Sequence, residues 1–322
     1  MRHIFIINPM AGKPKDITGF IQSANHAVSA LGESFVALQT QYAGHAKTLV
    51  REFLPASEPT RFYACGGDGT MNEVLHGLFG YENCELAVIP MGSGNDFLRC
   101  FGSVEVFLDL ENQVAGKSLE VDVLKAGDHV ALNLINVGLD AETAFYKHRF
   151  QRLPGVSGSM AYHLALAFCF FQRYGVSMNL ELDGKPFDNS KGYILTAFGN
   201  GTTYGSGYKA TPMATPVDGV MDVCLFRHVD RMTILKYIPF FKRGEHVGHP
   251  GLKDILYYGK HRQVRIYANH PLHVCMDGEF FDAADVTLEI LDRAIRFVVP
   301  KGIQPEWQTK EVMMEPKEGS ST

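Results

Sequence analysis

A glycine-rich turn around a single aspartate is the stretch of this sequence best suited to chemistry. The turn, residues 66–70, follows an apolar run and precedes residues with the apolar spacing of a helix. Glycines allow the backbone to turn sharply and a ligand to come close. The unpaired N–H groups that open the next helix suit an anion such as a phosphate. Asp68 could hold a cation against that anion, although such a turn alone is equally consistent with a purely structural role.

Composition and charge are those of an ordinary globular protein. The chain has 322 residues, of which 46% are hydrophobic and 20% charged, and this length is enough for two domains. Because the formal net charge is −5, we expect no nucleic-acid partner. The six cysteines are scattered without a C-x-x-C pair, which argues against a zinc ribbon and fits a reducing cytoplasm. No apolar run approaches the roughly 18 residues that span a bilayer, so any work on a membrane would be done from its surface.

Strands and helices alternate over the first 125 residues. Apolar runs predict strands at 4–7, 35–39, 61–64 and 86–90, and helical spacing predicts helices at 16–31, 44–53 and 73–78. A second glycine-rich turn, residues 91–95, is predicted to open another helix. This alternation predicts a Rossmann-like α/β domain over residues 1–125, built on a parallel sheet. Because ligands bind at the carboxyl ends of such strands, loops 8–13, 66–70 and 92–96 should meet at one edge.

Short β-rich segments separated by glycine, Asp-Gly and proline follow from about residue 120. Their spacing predicts an antiparallel β-sandwich domain over residues 126–300, whose last strand could return to the first domain. One helix is predicted near residues 158–174 and a second near 231–242. The polar residues 301–322 are predicted to form a mobile tail.

Three loops and five later motifs follow one another in a fixed order along the chain. The loops are Asn8-Pro9-Met10-Ala11-Gly12-Lys13, Gly66-Gly67-Asp68-Gly69-Thr70-x-Asn72-Glu73 and Pro90-x-Gly92-Ser93-Gly94-Asn95-Asp96-Phe97-x-Arg99. The later motifs are Glu120-Val121-Asp122-Val123, Asn136-x-Gly138-Leu139-Asp140-Ala141, Asn200-Gly201-x-x-Tyr204-Gly205-Ser206-Gly207, Asp218-Gly219-x-Met221-Asp222 and Asp277-Gly278-Glu279. In type, order and spacing they resemble the diacylglycerol kinase catalytic domain family, which includes soluble bacterial diacylglycerol kinases and extends to sphingosine and ceramide kinases. NAD kinases are more distantly similar, because they share the glycine-rich turn.

The resemblance implies an ATP- and Mg²⁺-dependent lipid kinase. The expected acceptor is diacylglycerol, giving phosphatidate, with phosphatidylglycerol or a sphingoid-like alcohol as alternatives. The family's ATP-contacting positions correspond to Asn8, Pro9, Met10, Ala11, Gly12, Lys13, Thr40, Gly66, Gly67, Asp68, Gly69, Thr70, Asn72, Glu73, Gly92, Ser93 and Asn95. Two other functions stay open: a kinase of a soluble substrate, related to NAD kinase, and a non-catalytic sensor of nucleotide or lipid.

The resemblance also implies a catalytic magnesium site and a general base. Asp68, Asp96 and Asp122 correspond to acidic positions that organise Mg²⁺, partly through water, and oxygen ligands with retained waters suit this ion. Arg99 lies three residues after Asp96, on the same face of a predicted helix, and is expected to orient these carboxylates. Glu279 corresponds to the general base; without the resemblance it is an exposed glutamate after a hairpin turn.

A second, structural Mg²⁺ is implied for some bacterial members. Its ligands would be the side chain of Asp218 and the backbone carbonyls of Thr215 and Val220. This chain departs from the family pattern, because Val217 stands where the first of two consecutive acids is usual. Whether the metal is retained is therefore left open.

The lipid side of the site is less defined by the sequence. Residues 160–171 are apolar on nearly all faces, which is typical of a core helix or of the wall of a lipid cleft. Residues 232–242 combine apolar side chains with Lys236, Lys242 and the following Arg243, so this helix could lie on an anionic membrane or pack on the β-rich domain. We expect a cytoplasmic protein that contacts membranes transiently, and a homodimer through a strand edge stays open.

Overall fold

The computed structural model describes residues 1–12, 16–92, 94–156, 158–172, 175–187, 192–205, 207–305 and 307. Lys13 and Ser93, both predicted to contact nucleotide, lie outside the described residues, and so does most of the predicted tail. In the described part of the chain, none of the helices is both long enough and apolar enough to cross a bilayer.

The first half of the chain forms a parallel sheet with helices on its faces. The strands are β1 (Arg2–Ile7), β2 (Ser34–Gln39), β3 (Thr60–Gly66) and β4 (Cys84–Pro90), in the order β4-β3-β1-β2. The helices are α1 (Ile17–Ser29), α2 (His45–Arg51), α3 (Asp68–Leu78) and α4 (Leu110–Val114). All three strand pairs are parallel. The apolar runs of β1 and β3 are buried on both faces, as expected for strands covered by helices on each side.

The second half is dominated by antiparallel strands. They are β5 (Lys117–Ala126), β6 (His129–Ala131), β7 (Leu134–Gly138), β8 (Asn179–Leu182), β9 (Lys185–Phe187), β10 (Tyr193–Gly199), β11 (Met221–Arg227), β12 (Leu256–His261), β13 (Gln263–Met276) and β14 (Glu279–Val299). In the described part of this half, three α-helices accompany them: α5 (Leu139–Phe150), α6 (Gly158–Gln172) and α7 (Arg231–Arg243). The predicted fold class, an α/β half followed by an antiparallel β-rich half, is confirmed.

Strand β14 joins the two halves. It begins as the antiparallel partner of β13, with Met276 opposite Glu279. Further along it pairs antiparallel with β5 and, at Arg296 and Phe297, parallel with β4. The chain therefore returns to the α/β half in its last strand.

The region after β4 differs from the prediction of a helix that opens at the second glycine-rich turn. The described residues of that turn are irregular, Asn95 has a φ of 55°, and only a short 3₁₀ helix, Phe97–Phe101, follows. The left-handed conformation of Asn95 interrupts a right-handed helix at this point. The backbone N–H groups of Asn95 and Asp96 hold the turn to the carboxylate of Asp68, the first residue of α3.

Candidate active site

The loops that follow β1, β3 and β4 meet at one edge of the sheet, as predicted. The backbone N–H of Asn8 donates to Cys65 O at 2.9 Å, and the Asn8 side chain donates to the Thr70 hydroxyl at 3.1 Å. Met91 and Gly92 both donate backbone hydrogen bonds to Gly66 O, at 2.7 and 3.0 Å. The three stretches of chain are therefore one hydrogen-bonded unit.

Two glycines are required for this close approach. A Cβ on Gly92 would lie 2.5 Å from Gly67 Cα, and a Cβ on Gly12 would lie 2.2 Å from Met91 O. Gly12 also has a φ of +74°, a conformation that other residues adopt only with strain. The backbone, rather than side chains, therefore forms the floor of the site.

Helix α3 opens directly at this floor. It begins at Asp68, immediately after Gly67, so its first N–H groups and its positive end face the edge of the sheet. Within its first turns, Thr70 and Asn72 are buried. Glu73, a predicted nucleotide contact, instead uses both carboxylate oxygens to accept backbone hydrogen bonds from Gly44 and Ala46 at 2.7 and 3.0 Å. Its visible role is to fix the start of α2.

Asp68 ties the first glycine-rich turn to the second. One carboxylate oxygen accepts from the backbone N–H of Asn95 at 2.8 Å and the other from that of Asp96 at 2.9 Å. Asp96 is largely buried, and Arg99 Nε donates to its Oδ1 at 3.3 Å, so the predicted Asp96–Arg99 pair forms. Asp68 and Asp96 both line the same cavity. This arrangement brings two of the three predicted magnesium carboxylates together.

Asp122 is not among the residues that line this cavity. It is fully buried, and its two oxygens accept backbone hydrogen bonds from Gly219 at 2.7 Å and Arg293 at 2.8 Å. Burial raises the pKa of its carboxyl group.

Across the described residues, no three His, Cys, Asp or Glu side chains are grouped so as to hold a metal. Mg²⁺ in kinase sites needs only one or two carboxylates besides waters and phosphates, so Asp68 and Asp96 fit that ion without Asp122.

Glu279 lies at the start of β14, next to the tight turn of Asp277 and Gly278. The φ values of these two residues are 48° and 88°, which is typical of a hairpin turn with two left-handed residues. Glu279 is 45% exposed, and its Oε2 lies 4.0 Å from Nε2 of His76 on α3. The candidate base therefore faces the helix that opens at the glycine-rich turn, and burial lowers the pKa of that histidine.

Asp277 is a residue whose role the sequence did not indicate. Its carboxylate accepts three backbone hydrogen bonds, from Leu132, Asn133 and Leu134, at 2.9, 3.0 and 2.8 Å. These bonds anchor the turn before Glu279 to the start of β7. The Asp-Gly pair predicted a hairpin, but these partners lie more than 140 positions away and only the sheet topology brings them close.

A cavity of about 630 Å³ extends from the sheet edge into the β-rich half. At one end it is lined by Asp68 and Asp96 together with Asp277 and Gly278. Elsewhere its walls are apolar side chains of α6 and α7, namely Leu166, Ala167, Phe170, Phe171, Ile234, Leu235 and Ile238. Helix α6 also buries Ala161, Ala165 and Cys169 on its other face, so it is both a core helix and a cavity wall.

The structural Mg²⁺ implied near Asp218 does not fit the residues present. Lys260 Nζ lies 2.5 Å from Asp218 Oδ2 and 3.6 Å from Oδ2 of the buried Asp222. Val217, where a second acid would stand, packs against the apolar core. Burial raises the pKa of Asp222 to about 6, an effect that Lys260 opposes. An ammonium group thus supplies the positive charge that a metal at Thr215, Asp218 and Val220 would supply.

We predict that Lys260→Met lowers the free energy of unfolding by about 1–2 kcal/mol, because Asp222 then loses its counter-charge while the partial exposure of Lys260 limits the effect. Urea unfolding without nucleotide measures this, and the exposed Lys253→Met serves as control. The wild-type midpoint is expected to be equal in Mg²⁺ and in EDTA. A wild-type unfolding midpoint that rises with Mg²⁺, and that no longer rises in Asp218→Asn, would show that a metal and not Lys260 supplies the positive charge.

Comparison with protein families gives two matches that together span most of the chain. Residues 2–126 match the model of the diacylglycerol kinase catalytic domain. Residues 133–299 match the model of the YegS C-terminal NAD kinase beta sandwich-like domain. The first match contains the glycine-rich loops and the second contains the turn before Glu279.

Individual relatives carry the same description. A protein of Staphylococcus haemolyticus named diacylglycerol kinase is 26% identical over 324 residues, which cover 96% of this chain and 92% of the relative. One of Bacillus subtilis with the same name is 24% identical over 283 residues, covering 87% and 86%. A solved structure titled as a diacylglycerol kinase of Bacillus anthracis superposes with a TM-score of 0.69 at 19% identity, covering 94% of this chain and 98% of that one. This last likeness shows a shared fold.

Proposed function

Because the chain belongs to the diacylglycerol kinase catalytic domain family and is a lipid kinase, we propose that it transfers the γ-phosphate of ATP, bound with Mg²⁺, to the hydroxyl of diacylglycerol. The observation that carries the proposal is the cavity that leads from Asp68 and Asp96 to the apolar walls of α6 and α7. Such a cavity offers an acyl chain an apolar environment while a hydroxyl reaches the charged edge of the sheet. A diacylglycerol has both parts.

The nucleotide phosphates would bind over the glycine-rich floor. Backbone N–H groups at the start of α3 and its positive end favour phosphate oxygens. Mg²⁺, when bound, would neutralise charge on the transferred phosphoryl group. Asp68 and Asp96 are the carboxylates that would hold it, and Arg99 donates to Asp96 in a bond of 3.3 Å that would orient it.

Glu279 would accept the proton of the lipid hydroxyl. As this O–H bond breaks, the oxygen forms a bond to the γ-phosphorus, and the bond from that phosphorus to the bridging oxygen of ADP breaks in line. A carboxylate suits this step because the proton moves late, to a group that needs only to be within hydrogen-bond reach. The bonds to Asp277 fix the turn from which Glu279 extends.

Access to the lipid would come through transient contact with a membrane surface. Large apolar side chains are exposed on two of the cavity-lining helices: Met160, Leu164 and Phe171 on α6, and Met232 and Leu235 on α7. Arg231 and Lys236 lie among them on α7. Apolar side chains flanked by basic ones are typical of helices that lie on anionic bilayers. The six free, buried cysteines fit a cytoplasmic location for this peripheral contact.

The decisive experiment offers the protein, ATP and Mg²⁺ a panel of lipid alcohols in mixed vesicles. We expect labelled phosphate to appear in phosphatidate when diacylglycerol is present. NAD⁺ is included as a soluble acceptor. Transfer to NAD⁺ and to no lipid would overturn the proposal, as would nucleotide binding without transfer to any acceptor.

We predict that Met232→Glu weakens binding to anionic vesicles about tenfold or more, because burial of one large apolar side chain contributes about 1.5–3 kcal/mol. Co-sedimentation with vesicles measures the effect. Leu108→Glu, which alters an exposed apolar residue of the α/β half, is the control and should bind like the wild type. Equal losses in both variants would show that α7 does not dock on the membrane.

A further inference from the structure

The candidate base faces a histidine whose buried end is unsatisfied. His76 lies on α3, and its side chain is 11% exposed, against 45% for Glu279. Within the described residues, the Nε2 atom of His76 is buried and has no hydrogen-bond partner. Oε2 of Glu279 lies 4.0 Å away from it, just beyond hydrogen-bond distance. A small rotation of the exposed glutamate side chain closes this gap, so the two residues are placed to act as a pair.

This pair is one proton short in both tautomers of a neutral histidine. The ring has a hydrogen bond to the backbone of Val130 that favours its protonated form, and is therefore one that the ring donates. Because Nε2 has no partner, this bond belongs to Nδ1. With the ring hydrogen on Nδ1, the lone pair of Nε2 faces the Glu279 carboxylate, which can only accept. With the hydrogen on Nε2, the lone pair of Nδ1 faces the Val130 carbonyl instead, so only an added proton satisfies every group.

The surroundings of His76 keep that proton away from the resting enzyme. Burial has the largest effect and lowers the pKa of His76, and the positive charges of Lys47 on α2 and His129 on β6 act in the same direction. The carboxylate of Glu279 and the bond to Val130 oppose these effects only in part. His76 is therefore neutral near pH 7, and the pair is open to one proton. The proposed transfer releases one proton, from the lipid hydroxyl.

We propose that His76 and Glu279 take up the proton of the lipid hydroxyl together, so that His76 makes the carboxylate a stronger base. The proposal rests on the proposed function, and His76 acts in it only through Glu279, as a positioning residue. The lipid O–H bond breaks as its proton passes to the carboxylate. Rotation of the carboxyl group then brings the proton to Nε2, where an N–H bond forms as the O–H bond on Glu279 breaks. The resulting imidazolium lies opposite a carboxylate and gives the proton to water when the products leave.

The test compares kcat for dioctanoylglycerol between pH 5 and 8.5, with saturating ATP and lipid. In His76→Phe we expect kcat at pH 8 to fall about 10- to 100-fold, the usual contribution of a hydrogen bond to a charged group, with KM for both substrates unchanged. In the Glu279→Gln background the same substitution should change kcat by less than about twofold, because the two residues act as one unit. The wild-type kcat should also fall as the pH drops through the lowered pKa of His76, since an imidazolium accepts no proton, and His76→Phe should lack this fall.

Two further variants separate a shared proton from other roles of His76. His76→Gln keeps a group that hydrogen-bonds to Glu279 but takes up no proton, so its kcat should stay about fivefold or more below that of the wild type. His129→Phe makes the aromatic change in the neighbouring histidine and keeps a ring stacked on Phe281, where the centroids are 4.4 Å apart. It should retain the wild-type kcat at pH 8. A wild-type kcat in His76→Gln would show that His76 only orients the base, and equal losses in His76→Phe with and without Glu279 would show a structural effect. Either result overturns the proposal.

An NMR titration of the His76 ring tests the pair without any measurement of activity. In Glu279→Gln the pKa of His76 should fall by about half a pH unit or more, because the carboxylate that favours the imidazolium is lost. An unchanged titration would overturn the proposal whatever the kinetics. If the wild type phosphorylates no lipid, the proposed function fails by itself, and the titration then decides whether the two side chains share a proton.

Discussion

Glu279→Gln is expected to lower kcat by about 10²–10⁴-fold, the usual contribution of a general base, with little change in the KM for ATP. Glutamine keeps the size of the side chain but cannot accept the proton of the lipid hydroxyl. The residue is 45% exposed and the turn before it is anchored by Asp277, so the fold should be unaffected. A fall in kcat without a rise in KM marks a group that acts in the transition state.

Initial rates of phosphate transfer to diacylglycerol in mixed micelles measure this effect. Glu289→Gln is the matched control, because it makes the same change on the same strand, where the Glu289 side chain accepts a hydrogen bond from Gln263. It should retain the wild-type rate. If Glu279→Gln remains within a few-fold of the wild type, the base lies elsewhere, although the kinase assignment stands.

The position of the nucleotide loops could be predicted because it depends on local patterns. The apolar runs of β1, β3 and β4 are long enough to identify buried parallel strands, and the carboxyl ends of such strands share an edge. The glycines after the strands then mark where two backbone segments come too close for a side chain. A Cβ on Gly92, for example, would lie 2.5 Å from Gly67 Cα. No long-range information was required.

The use of individual carboxylates could not be predicted in this way. Glu73, Asp122 and Asp277 each bind backbone N–H groups far away in the chain, the longest such link being that from Arg293 to Asp122. These partners are set by the register of β14 and by the packing of α2, which no short motif encodes. The same limit applies to the cavity that extends from Asp68 and Asp96 into the β-rich half, because its walls come from α5, α6 and α7, and strands separate α6 from α7 in the sequence.

Asp68→Asn is expected to lower kcat/KM by about 10²-fold or more, because displacement of a catalytic loop by about 1 Å can cost that much. The carboxylate receives one backbone N–H on each oxygen, from Asn95 and from Asp96. An asparagine can accept only one of these bonds, and its N–H₂ group would face the other donor. The loop that carries Asp96 must then move, and a negative charge beside the phosphates is lost as well.

Asp183→Ala separates these site effects from a general loss of backbone anchoring, because it removes the Oδ1 that accepts both backbone bonds, whereas asparagine would keep that oxygen. Asp183 accepts backbone N–H groups from Arg262 and Gln263 at 2.9 and 3.0 Å, at an exposed turn that is not among the cavity-lining residues. Its replacement should reduce the free energy of unfolding slightly and leave kcat/KM unchanged.

Asp68→Asn should lower the free energy of unfolding by about 1–3 kcal/mol, because one backbone donor is left unsatisfied, in addition to its loss of kcat/KM. If Asp68→Asn unfolds at a lower urea concentration yet keeps wild-type kcat/KM, Asp68 is only a structural link between the two loops. If both variants lose activity equally, the loss reflects backbone anchoring in general and the magnesium role passes to Asp96 alone.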